Sequence, residues 1–257
     1  MTNQTPKIKR PSLFWLATEI GRALTEATVS VPFRSMYAQN NLGDGHPVLV
    51  LPGFMASDKS TNALRSFINQ IGYNSLPWDL GRNYANIDHL NILVDKVEKI
   101  YEEYGEKVSL VGWSLGGVFA RQIAKNNPDI VRQIITLGSP FRGVQKPNNV
   151  AWIYNQLVKR KKIEEAAPEL IEEFPKPAPV PTTAIYTKED GVVPWQMCLE
   201  EETSIHQNIQ VRGSHLGLGV NPAVLKIIAN RLPLTAEIWE AFSPQSFAEE
   251  LFLYPSL

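Results

Sequence analysis

The sequence predicts an α/β fold built on a mainly parallel sheet. Three observations carry this. Short unbroken apolar runs alternate with longer segments of helical period. The apolar runs end in turn residues such as Pro52-Gly53 and Gly138-Ser139-Pro140, as strands buried on both faces do. A length of 257 residues with 44% hydrophobic and 20% charged residues provides a core for one large domain.

The first element falls outside this alternation. Leu13, Leu16, Ile20 and Leu24 recur at helical spacing, which predicts an amphipathic helix over residues 10–30. An apolar face of this kind needs cover, and the expected cover is the domain body. The polar face, with Glu19, Arg22, Thr25 and Glu26, is nearly neutral, whereas helices that lie on membranes favour a basic one. Peripheral membrane contact through this helix is the alternative.

The alternation then begins. "PVLVLPG" from Pro47 reads as a buried strand. "SDKSTNALRSFINQIG" reads as a helix with Ala63, Leu64, Phe67, Ile68 and Ile71 on one face. "YNSLPWDLG" is a short strand, and Ile87 to Tyr104 is a helix that stops before Gly105. "KVSLVGW" is a strand, Leu115 to Lys125 a helix, and "RQIITLGSP" a strand. Residues 144–179 break the rhythm with a charged, helix-like segment closed by "FPKPAPVP". "TTAIYT" and "IHQNIQVRG" hold two more strands. "NPAVLKIIANRL" is a helix with Asn221 as N-cap and Pro222 in its first turn. Residues 233–257 form a tail expected to pack on the surface.

Composition narrows the function. Lys and Arg total 25 against 26 for Asp and Glu, so nothing suggests capture of nucleic acid. Cys198 is the single cysteine, which rules out an intrachain disulfide and a cysteine metal cluster. No H-E-x-x-H spacing occurs, and neither metal nor cofactor is expected. No stretch has the length and apolarity of a membrane span. Lys7, Lys9 and Arg10 resemble a signal peptide's basic start, but the charges at Glu19, Arg22 and Glu26 do not suit its apolar region. The expectation is an unprocessed, cytoplasmic chain.

The chemistry centres on "GWSLG", a G-x-S-x-G match at Gly112, Ser114 and Gly116. It lies where a predicted strand becomes a predicted helix. A serine there either caps the helix or is held on a strained turn with its hydroxyl projecting. The next N–H, of Leu115, begins the helix and can stabilise an oxyanion. A serine nucleophile needs a base. His46 precedes the first strand, His89 begins a helix, and His206 lies at the wrong end of the last strand. His215 follows that strand and is the candidate. The base in turn needs an acid to fix its tautomer. Asp190 follows the preceding strand in "EDGVVPW", with Glu189 in reserve.

The order Ser114, Asp190, His215, with "LVLPGFMAS", "GWSLGG", "TLGSPFRG", "EDGVVP" and "GSHLGLG", resembles the α/β-hydrolase family over residues 46–232. Within it, "TLGSPFRG" resembles a stretch of bacterial triacylglycerol lipases, with Ser139 and Phe141 in place of Thr and His. The resemblance implies a Ser–His–acid triad acting on acyl compounds. It implies an oxyanion hole of two backbone N–H groups, Leu115 and Phe54, with Met55 as the other candidate for the second. It also implies one hydrolase domain with core residues 46–143 and 180–232 and a cap at 144–179, whose Trp152, Ile153, Tyr154 and Leu157 could line an acyl pocket. Two strands usual at the start of the family's sheet are not evident, so about six strands are expected. The function implied is hydrolysis of a small ester or lipid through an acyl-enzyme. An acyltransferase or thioesterase would use the same triad, and a silent, ligand-binding hydrolase fold is the non-enzymatic alternative.

Overall fold

The computed structural model describes residues 8–38, 43–142 and 172–255. Most of the expected cap, including Trp152, Ile153, Tyr154 and Leu157, lies outside the described residues. Helix α1 (Leu13–Ala38) precedes the sheet. The elements β1 (Pro47–Leu51), α2 (Asp58–Gln70), β2 (Asn74–Pro77), α3 (His89–Tyr104), β3 (Val108–Trp113), α4 (Leu115–Asn126) and β4 (Val131–Leu137) follow in order. Beyond residue 171 come β5 (Thr182–Tyr186), β6 (His206–Gln210), α5 (Pro222–Arg231) and α6 (Phe247–Phe252).

The six strands pair in the order β2-β1-β3-β4-β5-β6, and every pairing is parallel. Strand residues alternate between two cores, as the two-residue period requires. Leu49, Leu51, Leu110 and Ile134 pack toward α3 and α4. Val48, Val50, Val111 and Ile135 pack toward α2 and α5. The strand order reverses between β1 and β3, so the loops after these two strands border a crevice at their carboxyl ends. The tail contributes to the second core: Tyr254 is fully buried and donates its hydroxyl to the Ala223 carbonyl at 3.2 Å.

Local signals account for several boundaries. Gly105 closes α3 in the left-handed region at φ 66°. Asn221 accepts from the Ala223 and Val224 N–H groups at 2.9 and 3.4 Å and starts α5. Helix α1 runs longer than its apolar pattern suggested, through Pro32 to Ala38. Contacts to α2 hold its second half: Arg34 donates to the Ala63 carbonyl at 3.0 Å, and Tyr37 meets Phe67 edge-on.

The orientation of α1 corrects the sequence expectation. Leu13, Leu16, Ile20 and Leu24 are 76%, 46%, 69% and 66% exposed, whereas Glu19 and Ser30 on the polar side are 2% and 1% exposed. The helix does dock on the body, but through the face expected to meet solvent. Hydrogen bonding decides this. The inward carboxylates meet backbone N–H groups that would otherwise be buried without partners, and such groups cost about 1–3 kcal/mol each. Among the described residues, no helix is long and apolar enough to cross a membrane. Ile20→Lys should therefore change the unfolding free energy by less than ~0.5 kcal/mol, as at an ordinary surface site. A loss of several kcal/mol in denaturant titration would mean that this face is covered.

Candidate active site

Ser114 begins at the end of β3, where the chain must turn at once into α4. Its backbone is at φ 52°, ψ −121°, and its side chain makes no cap hydrogen bond to the helix. The plain N-cap reading therefore fails. A non-glycine residue at positive φ stores strain and requires support from its surroundings. Here the Ser114 N–H donates to the Leu137 carbonyl at 2.7 Å, and the Ser114 carbonyl accepts from Gly117 at 3.0 Å. Gly116 is needed for space, since a Cβ there would lie 2.2 Å from the Leu51 carbonyl oxygen.

The loop after β1 passes close to this serine: a Cβ on Gly53 would lie 3.1 Å from the Ser114 Cβ. The Met55 N–H donates to the Asn83 carbonyl at 2.7 Å, which engages that donor away from an oxyanion. Leu115 carries the first N–H of α4, one of the helix-start donors that lack an intrahelical acceptor. Asn83 is a residue that sequence reasoning missed. It is fully buried, donates to the Pro52 carbonyl at 2.8 Å, and links the loop after β2 to the loop after β1. Its surroundings in "GRNYAN" carry no motif that would single it out.

The structure brings His215 and Asp190 together. His215 Nδ1 lies 2.6 Å from Asp190 Oδ2. The other oxygen, Oδ1, accepts from the Val192 and Val193 N–H groups at 2.7 and 2.6 Å, which fixes the carboxylate plane. Glu189, the reserve acid, turns elsewhere: its carboxylate accepts from the Gly213 N–H at 3.2 Å. The histidine loop is tied to the serine turn, because Trp113 Nε1 donates to the His215 carbonyl at 3.0 Å. Gly138, just beyond β4, lies against the same ring: its N–H donates to the Ile185 carbonyl at 2.8 Å, and a Cβ there would sit 3.0 Å from His215 Nδ1. Burial alone would push the His215 pKa down. The Asp190 charge and hydrogen bond, with the Glu19 charge added, outweigh it and hold the imidazolium above its ordinary value.

Another serine, histidine and aspartate form a similar chain at the opposite end of the sheet. His46 Nδ1 lies 2.6 Å from Asp44 Oδ1, and Nε2 lies 2.8 Å from Ser109 Oγ. Ser109 is fully buried within β3, so no substrate carbonyl can reach its hydroxyl. Burial and the Arg132 charge hold His46 below its ordinary pKa, and the arrangement satisfies polar groups at the strand starts. His206 binds the Ala178 and Val180 carbonyls at 2.9 and 3.2 Å, and His89 packs on Trp78.

Two further residues had escaped the sequence reading. Arg121, on α4, is buried, pairs with Glu200, and stacks 3.9 Å over the Phe141 ring. It also donates to the Lys176 carbonyl at 2.7 Å, so it holds the chain leading into β5. Glu19, on α1, reaches the acid and histidine loops. The 3.6-residue period that marked the apolar face marks an equally regular stripe of Glu19, Arg22, Glu26 and Ser30, and periodicity alone does not say which stripe points inward.

The all-parallel six-stranded sheet and the serine turn after β3 define an α/β-hydrolase. The chain belongs to the palmitoyl protein thioesterase family, whose model matches residues 47–188, more than half of its length. That match includes Ser114 and ends before Asp190 and His215. The chain is 33% identical over 86 residues to a pimeloyl-[acyl-carrier protein] methyl ester esterase of Vibrio campbellii, covering 30% of this chain and 34% of that one. It is 30% identical over 131 residues to the serine hydrolase BPHL of Mus musculus, covering 46% and 44%. It therefore matches less than half the length of each. Among solved structures, Aspergillus fumigatus lipase B superposes with a TM-score of 0.57 at 18% identity, over 78% of this chain and 54% of that one. A Paleococcus ferrophilus monoacylglycerol lipase gives 0.53 at 14% identity, over 74% and 96%. These two establish the fold alone.

Two outcomes check the geometry. A Cβ on Gly191 would lie 2.3 Å from the Leu16 backbone nitrogen, an overlap that neither backbone can relieve without moving α1. Gly191→Ala should destabilise the protein by roughly 1–3 kcal/mol, the usual range for overpacking; an unchanged melting temperature would contradict the docked position of α1. Ser109→Ala should leave ester hydrolysis at the wild-type rate, and loss of activity in the folded variant would move the chemistry to the other end of the sheet.

Proposed function

We propose that this protein hydrolyses carboxylic esters or thioesters through Ser114, His215 and Asp190. The observation that carries the reading is the 2.6 Å Asp190–His215 contact on a loop tied by Trp113 to the strained serine turn. In this reading Ser114 Oγ attacks the acyl carbonyl while His215 Nε2 takes its proton. The Phe54 and Leu115 N–H groups receive the oxyanion. His215 then returns the proton to the leaving alkoxide or thiolate, and the acyl group remains on Ser114. Water, deprotonated by His215, releases the acid. Asp190 holds the tautomer with Nδ1–H and stabilises the imidazolium. The family match favours acyl groups as the recognised part, with either oxygen or sulfur leaving.

Ser114→Ala should lower kcat by roughly 10⁴-fold or more while the fold persists, because the nucleophile and base act as a unit. Parallel assays on p-nitrophenyl esters and acyl thioesters of increasing chain length test the substrate class, and a fluorophosphonate probe should label Ser114. A folded Ser114→Ala protein retaining a tenth of wild-type kcat would refute the assignment. Transfer to an added alcohol in preference to water would identify an acyltransferase instead.

The pH profile gives an independent check. Only neutral His215 accepts a proton, so kcat/KM should rise with pH through a limb above the ordinary histidine value of about 6.5. Asp190→Asn removes the main influence holding that pKa up and leaves burial, which pushes it down. The variant should lose roughly 10⁴-fold in rate, and the limb of its residual activity should move to lower pH. Glu189→Gln should change little; the reverse ranking would transfer the acid role to Glu189.

A further inference from the structure

Glu19 is a buried carboxylate that the proposed chemistry does not use, and its surroundings are specific. Its Oε1 accepts from the Gly191 N–H at 2.9 Å and the His215 N–H at 3.2 Å, and its Oε2 accepts from the Leu216 N–H at 2.9 Å. One side chain thus joins the residue after the acid to the base itself and the residue beyond it. Arg22 supports the carboxylate at 3.0 Å and also binds the Gly213 and Glu189 carbonyls at 2.9 and 3.0 Å. Glu26, two helical turns beyond Glu19, accepts from the Ser214 N–H at 2.8 Å and so holds the neighbouring residue of the same loop.

We propose that Glu19 is a positioning residue: from α1 it clamps the acid loop to the histidine loop and so sets the Asp190–His215 geometry. The proposal rests on the triad reading above. Three converging N–H groups on one carboxylate leave little freedom to the loops that carry them. The clamp holds main chain, so it fixes where the Asp190 and His215 side chains start rather than touching the reacting atoms. A displacement of these groups by about 1 Å costs up to about 100-fold in rate.

Glu19→Gln in the full chain is the decisive variant. Its amide group places N–H donors against one or more of the three N–H groups it replaces an acceptor for. We expect kcat to fall by about 10- to 100-fold while KM changes by less than about threefold, and fluorophosphonate labelling of Ser114 should slow in parallel. The groups facing His215 are Asp190 on the acid loop and Glu19, paired with Arg22, on α1, with Cys198 beside Asp190. Since the Glu19 charge helps hold the His215 pKa up, its loss should also shift the acidic limb of kcat/KM to lower pH, which mere helix anchoring would not do. Glu26→Gln serves as the comparison for anchoring. If Glu19→Gln melts at lower temperature but, assayed well below that temperature, keeps wild-type kcat and the wild-type limb, the proposal is overturned. Should Glu19→Gln not fold, Glu19→Asp retains the charge on a shorter arm: a lowered kcat with an unmoved limb supports the clamp, and wild-type kcat overturns it. Failure of the triad reading itself would show separately, as activity surviving in Ser114→Ala.

Discussion

The backbone of Ser114, held at φ 52° and ψ −121°, is the constraint around which this end of the sheet is arranged. A conformation of this kind costs on the order of 1–3 kcal/mol and persists only where the surroundings enforce it. Enforcement comes from the sheet on one side and the helix on the other. The Leu137 carbonyl on β4 takes the Ser114 N–H, and α4 starts so close to β1 that Gly116 has no room for a side chain. The same closeness brings the loop after β1 against the serine. Asn83 then holds that loop from below through Pro52 and Met55. A strained serine turn and a braced neighbouring loop are thus two results of one tight strand–helix approach.

The polar contacts of α1 show how hydrogen-bond satisfaction can override apolar periodicity. Exposing several large apolar side chains forgoes about 1.5–3 kcal/mol each relative to full burial. The opposite face offers acceptors for N–H groups of loops that have no strand to pair with. Burial pushes the Glu26 pKa up, and its hydrogen bonds to Asn221 and Ser214 only partly oppose that. With a folded value above the unfolded one, Glu26 contributes stability that is fully present below the ordinary glutamate range and is lost as pH rises through the raised value.

Much of this architecture was legible in the sequence. Unbroken apolar runs such as Val48 to Leu51 and Leu110 to Val111 identify strands because a sheet covered on both faces leaves no polar side. The turn after Trp113 was legible because a small hydroxyl residue between glycines suits few positions. Asp190 and His215 followed from the rule that ligands meet loops beyond strand carboxyl ends. What could not be read was of another kind. Glu19 and Asn83 act on main-chain atoms of distant loops, and no local pattern marks a residue whose partners are backbone groups far along the chain. The two stripes of α1 share one period, so the inward one is chosen by contacts that only the folded loops provide. Arg121 escaped for a related reason: its partners Glu200 and Phe141 are far apart in sequence and meet only after folding.

The separation between Glu19 and its partners has a temporal side. Gly191, His215 and Leu216 lie 172, 196 and 197 residues beyond it. This helix therefore leaves the ribosome long before its partners: the Gly191 N–H is made after five strands, and those of His215 and Leu216 after all six. Contacts of such long range are also the slowest kind to form once the chain is complete. Of the described helices, α1 is made first, yet its inward carboxylates can be seated only once loops near the far end of the sheet have been made.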